Sequence, residues 1–83
     1  MEAFAHETVL ELAYDEAALA RVVERSVARE VGAVDDERSR TTVSREGSVV
    51  AFTVRARDLT ALRAATNTWL RLADVAERAA ALA

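Results

Sequence analysis

From Leu59 to Leu82 the chain contains neither proline nor glycine. As one helix rising 1.5 Å per residue this segment would be about 36 Å long, more than a chain of 83 residues needs to cover its own core. Asp58 stands at its start as a natural N-cap. Leu59, Leu62, Ala65, Trp69, Leu72 and Ala76 recur at helical spacing and form one apolar stripe. Leu70, Ala73 and Ala80 begin a second. Two stripes on one helix predict two packing surfaces, one toward the chain's own core and one toward something else.

The rest of the chain supplies that core. His6 to Tyr14 alternates, with Thr8, Leu10, Leu12 and Tyr14 on one side, which predicts a strand with one buried face. Asp15 is placed to cap a helix with Glu16 in its first turn, and Leu19, Val22, Val23, Val27 and Val31 give that helix its apolar side. Gly32 is the expected stop, in the left-handed conformation. Ala33 to Ser39 reads as an acidic loop. Arg40 to Arg45 and Ser48 to Arg55 read as strands joined by a hairpin at Glu46-Gly47. In the second run both faces are nearly apolar (Val50, Phe52, Val54 against Val49, Ala51, Thr53), so the strand is covered on both sides or its outer face meets a partner. The order strand-helix-strand-strand-helix predicts an α+β fold, a three-stranded antiparallel sheet packed with two helices. The length predicts a single domain over residues 1–83.

Composition limits what this fold can do alone. Hydrophobic residues make up 52% of the chain, but nineteen of them are alanine. A domain this small buries only about 60% of its unfolded surface, so a core this thin asks for a partner. Charge is divided unevenly: residues 1–37 carry three arginines against ten acids, and residues 38–83 eight arginines against four. With no cysteine, disulfides, thiolate metal sites and cysteine nucleophiles are excluded. No apolar run approaches the roughly 18 residues of a membrane span, and the acidic start Met1–Glu7 does not read as a signal peptide, so a cytoplasmic protein is expected. Every basic side chain is arginine, a usage that suits a GC-rich genome.

Catalytic chemistry finds little to work with. His6, the only histidine, stands at the start of a strand with no partner indicated for general base work. Gly32 and Gly47 cannot make a phosphate-cradling loop, and no lysine exists for Schiff-base chemistry. Asp35-Asp36-Glu37 is a solvated acidic loop or an attraction for a hard cation. We therefore expect no enzyme activity, no cofactor and no metal. Arg21, Arg25 and Arg29 form one row on the first helix, either a solvated face or a surface for an anionic partner. Arg63, Asn67 and Arg71 form another row on the last helix; Asn67, a poor helix former, is a tolerated surface residue or makes a specific hydrogen bond to a partner or nucleic acid. Phe4, Tyr14, Phe52 and Trp69 are scattered along the chain and not interleaved with a basic patch, which argues against base stacking.

The run from Ala56 to Arg71 is more specific. Ala56-Arg57-Asp58 leads into Leu62-Arg63-Ala64-Ala65-Thr66-Asn67-Thr68-Trp69-Leu70-Arg71. This closely resembles the signature of the small, dimerising subunit of the archaeal KEOPS complex, the Pcc1-like family, in which an A-x-D element precedes L-R-A-A-x-N-S-x-L-R. The resemblance takes in the opening strand, the Glu37-Arg38 pair and the order of elements, leaving out Met1 to Ala5 and the alanine-rich tail. Thr68 stands where the family usually has serine, and Trp69 where it commonly has a bulky aromatic.

The resemblance implies a non-catalytic scaffold. Such a subunit pairs with itself or with a paralogous small subunit and docks on the ATPase-fold subunit that places threonylcarbamoyl on the tRNA adenosine next to the anticodon. It reaches tRNA through the complex and has no membrane role. The implied partner interface is Leu62, Ala65, Trp69, Leu70 and Ala73, with Trp69 equally placed for ordinary core packing. The implied tRNA contacts are Arg38, Arg63, Asn67 and Arg71. Two rival readings are a free-standing RNA-binding module that uses the arginine rows and a small-ligand sensor.

Overall fold

The protein is described by a computed structural model covering residues 4–82; the acidic start at Glu2 lies outside the described residues. The elements are β1 (His6–Ala13), α1 (Ala17–Ala28), α2 (Val31–Val34), β2 (Ser39–Glu46), β3 (Val49–Ala56) and α3 (Leu59–Leu82). The strands form one antiparallel sheet in the order β1-β3-β2. The fold is α+β as expected, with one short helix added.

Period-2 alternation sets the sheet. Thr8, Leu10 and Leu12 of β1 lie across from Val54, Phe52 and Val50 of β3 on the inner face, and Thr41 and Val43 of β2 complete that face from the other edge. β2 and β3 are joined through Gly47 and Ser48, and Gly47 takes φ 61°, a conformation a side chain would oppose. α1 and α3 pack on the inner face only. The outer face of β3, carrying Val49, Ala51 and Thr53, has no helix over it, so the doubly apolar strand is explained by the second of its two readings: its outer face is left for a partner.

The core centres on Trp69 and Phe52, whose rings lie 5.5 Å apart at 45°. The indole N–H of Trp69 donates to Thr41 Oγ1 at 2.9 Å, so neither polar group is buried unsatisfied. Val23, Val27, Val50 and Val54 fill the space around them. Six of the twelve buried apolar side chains among the described residues are alanine: Ala20, Ala56, Ala61, Ala65, Ala73 and Ala76. Alanine therefore does not dilute this core; it sets how closely the helices approach the sheet.

Several local expectations change. α1 begins after Glu16, not Asp15, and no side chain caps it. It ends at Ala28, where the backbone N–H of Glu30 bonds the Val27 carbonyl. Gly32 does not stop it in a left-handed turn; it lies inside α2, whose Val31 and Val34 pack against the core and draw the chain into one more helical turn. Val22 faces outward and Ala20 takes its place in the buried stripe. On α3 the buried residue near the start is Ala61, and Leu59 is exposed.

The acidic loop has a structural use. Asp36 Oδ1 accepts the backbone N–H groups of Arg38 at 2.8 Å and Ser39 at 3.0 Å, and Asp35 Oδ1 accepts that of Thr41 at 3.0 Å. These bonds satisfy donors where β2 begins. No helix among the described residues is long and apolar enough to cross a membrane.

Candidate partner interface

α3 carries most of the residues marked for partners or RNA, and its buried side decides which are free. Ala61, Ala65, Trp69, Ala73 and Ala76 face inward. Trp69 is 0% exposed and Ala65 and Ala73 nearly so, which corrects their assignment as partner anchors: no surface is left for a second protein to cover. Ala73 belongs to the core stripe, because the sheet and α1 together wrap more of α3 than one stripe can serve. Of the expected interface set, Leu62 is half-buried and Leu70 is 43% exposed.

Arg63, Asn67 and Arg71 lie on the exposed side of α3, turned away from Trp69. Among the described residues none of the three forms an ion pair or donates a side-chain hydrogen bond. Thr68 differs: its hydroxyl donates to the Ala64 carbonyl at 2.9 Å, a bond that a serine would make equally well. Arg38 lies apart, with Nη2 3.0 Å from both carboxylate oxygens of Asp58. Asp58 also accepts the Ala61 N–H at 2.8 Å, capping α3. That backbone bond first, and Arg38 second, hold the Asp58 carboxyl below its ordinary range. Arg38 thus begins as a clamp on the start of α3, with about half of its surface still open.

Two shallow grooves flank α3. One, about 300 Å³, runs between β1 and α3 past Thr8, Leu62, Arg63, Thr66 and Asn67. The other, about 210 Å³, lies between α1 and α3 and includes Ser26, Leu72, Val75 and Ala79. Beside it Val22 and Val75 are exposed, Val75 by 61%. The spacing Leu72, Val75, Ala79 is itself helical, so this third stripe was present in the sequence and overlooked. Among the described residues no group of three His, Asp or Glu side chains comes together to hold a metal.

Two further contacts escape sequence reasoning because they join distant residues. Tyr14 donates its hydroxyl to Glu77 Oε2 at 2.5 Å, tying the end of β1 to the far part of α3. Burial, then that bond and the nearby carboxylate charge, hold the phenol well above its ordinary pKa. Phe4 lies against two guanidinium groups, with Arg40 at 5.6 Å and Arg57 at 6.0 Å from its ring centroid. That corrects the view of it as remote from basic residues. The strands bring the two arginines together from separate parts of the chain.

The family model described as "Transcription factor Pcc1" matches residues 7–81. No curated protein matches the chain by sequence. A solved structure described as "Crystal structure of binary complex Gon7-Pcc1" matches with a TM-score of 0.75 at 17% identity, over 95% of this chain and 96% of that one. That likeness establishes the shared fold, and the family match spans the run from Ala56 to Arg71 and nearly everything before it. The chain belongs to the Pcc1 family.

Proposed function

We propose that this chain is a non-catalytic, self-pairing scaffold subunit of a KEOPS-type assembly. In this reading it docks on the ATPase-fold subunit that modifies the tRNA adenosine next to the anticodon, and adds arginine side chains to the tRNA surface. The observation that carries the reading is the surplus apolar surface of the two main helices. Val22, Leu70 and Val75 are exposed on sides of α1 and α3 that the core does not use. An isolated monomer has no need of them, whereas a helical partner can lay its own apolar stripe into the groove they border. The related complex described as Gon7-Pcc1 supports the reading by showing that a chain of this fold is held in a binary assembly.

Docking through the helices leaves Arg63, Asn67 and Arg71 beside the partner, where their unengaged donors suit RNA phosphates. The test is co-purification of the full chain with the ATPase-fold subunit from its native source, followed by tRNA modification with and without the chain. The expected result is association, with modification that falls when the chain is withheld. Failure to associate, or tight tRNA binding by the isolated chain, overturns the scaffold reading in favour of a free-standing RNA-binding module.

A further inference from the structure

The outer face of the sheet is the largest regular surface that neither the core nor the helix grooves use. Its residues stand in four rows across β1, β3 and β2: Glu7–Arg55–Arg40, Val9–Thr53–Thr42, Glu11–Ala51–Ser44 and Ala13–Val49–Glu46. The two middle rows are small or apolar except for Glu11, and Val9 is 52% exposed. Sheets exposed to water normally carry polar side chains on their outer face, so Val9, Ala13, Val49 and Ala51 are out of place there unless something covers them.

Charge gives the face a direction. At one end Arg55 and Arg40 are directly opposite on neighbouring strands, an arrangement that destabilises a lone sheet. Glu7 approaches Arg55 at 3.5 Å. Arg40 has no carboxylate partner among the described residues; its Nε donates to the Asp36 backbone carbonyl at 3.3 Å. Glu46 ends the same edge strand six residues on, and among the described residues it too forms no ion pair. One edge strand thus carries an unmatched positive charge at one end of the open face and an unmatched negative charge at the other.

We propose that this face packs against the same face of a second copy of the chain, related by a two-fold axis that lies between the sheets and runs across the strands. The proposal rests on the self-pairing part of the functional reading and names the surface that does it. That rotation reverses the strand direction and lays β2 over β2. Arg40 then meets the second copy's Glu46, and Glu46 the second copy's Arg40. A two-fold along the strands would instead set Arg40 and Arg55 against their own copies. The small side chains of the middle rows let two sheets stack at about 10 Å. Three strands and eight residues per strand give a footprint of about 14 by 26 Å, which makes the dimer reversible and concentration-dependent, not obligate. The helices remain free on the far side for other subunits.

The experiment is sedimentation equilibrium on the full chain from about 10 to 500 µM, the range an interface this small calls for. Arg40→Glu and Glu46→Arg are each made alone, together in one chain, and as a mixture of the two single variants. Each single variant should raise the dimer dissociation constant by roughly tenfold or more, because it places like charges together twice. The double variant should return to near the wild-type value. The mixture should form a heterodimer that neither single variant can imitate. Ala51→Arg at the centre should abolish pairing with no rescue. All three positions are on the open face, and circular dichroism checks that the sheet is intact. A wild-type dimer indifferent to these changes overturns the face and leaves self-pairing in place. A wild-type monomer throughout that still docks on the catalytic subunit overturns self-pairing and leaves the scaffold role. Unchanged pairing with weakened tRNA binding by Arg40→Glu assigns the basic end to RNA and overturns the proposal.

Discussion

Trp69 separates folding from partner binding, and its indole N–H makes the separation measurable. Trp69→Ala removes the largest fully buried side chain in the protein, a change that costs about 3–5 kcal/mol in a packed core. A chain of 83 residues has about 4–12 kcal/mol of stability in total at the usual density per residue. The alanine variant should therefore be partly or wholly unfolded, and any loss of binding it shows reports the fold. The polar contact is better isolated by a cycle with Thr41, which is only 3% exposed. Trp69→Phe leaves the Thr41 hydroxyl without its donor, and Thr41→Val leaves the indole N–H without its acceptor. Each orphaned group costs about 1–3 kcal/mol, and Trp69→Phe also loses packing. The double variant orphans neither, so the two changes should couple by about 1–2 kcal/mol. Urea unfolding followed by far-ultraviolet circular dichroism measures this, since Trp69 is the only tryptophan and fluorescence disappears with it. Protein concentration is held fixed because self-association adds to apparent stability. A coupling below about 0.3 kcal/mol would refute the idea that this hydrogen bond stabilises the core.

Three further outcomes are expected. Tyr14 is the only tyrosine, and its phenol is held above the ordinary value of 10.0, so folding favours its neutral form; that contribution is complete below pH 10 and is lost as pH rises toward the folded pKa. Phenolate absorbance at about 295 nm should stay absent until the alkaline unfolding transition, and a titration near 10 in the folded protein would show the Glu77 contact to be open in solution. Asp58 is shifted the other way, so its contribution to the start of α3 is present above 3.8 and lost as pH falls through its lower folded value; the gap in Tm between wild type and Asp58→Ala should be full at pH 6 and shrink on acidification, and a constant gap would contradict the cap. Leu70→Asp should leave the melting curve near wild type, because the side chain is outside the core, while weakening partner binding by about 2 kcal/mol if Leu70 is an anchor.

Regular alternation and long apolar stripes made the elements readable from sequence. β1, β3 and α3 were legible because their patterns repeat over eight residues or more, and the hairpin because Gly47 marks a turn that needs positive φ. The end of α1 was not, because a glycine that stops helices can also sit inside one when Val31 and Val34 on either side have a core to reach. The interface residues were half legible for a related reason. Helical periodicity says which residues share a side of α3 but not how wide an arc the sheet and α1 will cover, and Ala73 fell inside that arc while Leu59 fell outside. Contacts such as Tyr14 with Glu77, 63 residues apart, have no local signature at all.

An interior so rich in alanine also reverses the usual direction of mutational risk. In a leucine-rich core the common injury is a cavity. Here Ala20, Ala61, Ala65, Ala73 and Ala76 have almost nothing to lose, and a single added isopropyl group would have to lift a helix off the sheet. Growth of side chains, not their truncation, is what this scaffold can least absorb. Changes that leave the alanines intact will be spent at the surface, where partners are chosen. A lineage built on this fold can therefore diversify its associations while its interior stays nearly fixed in volume.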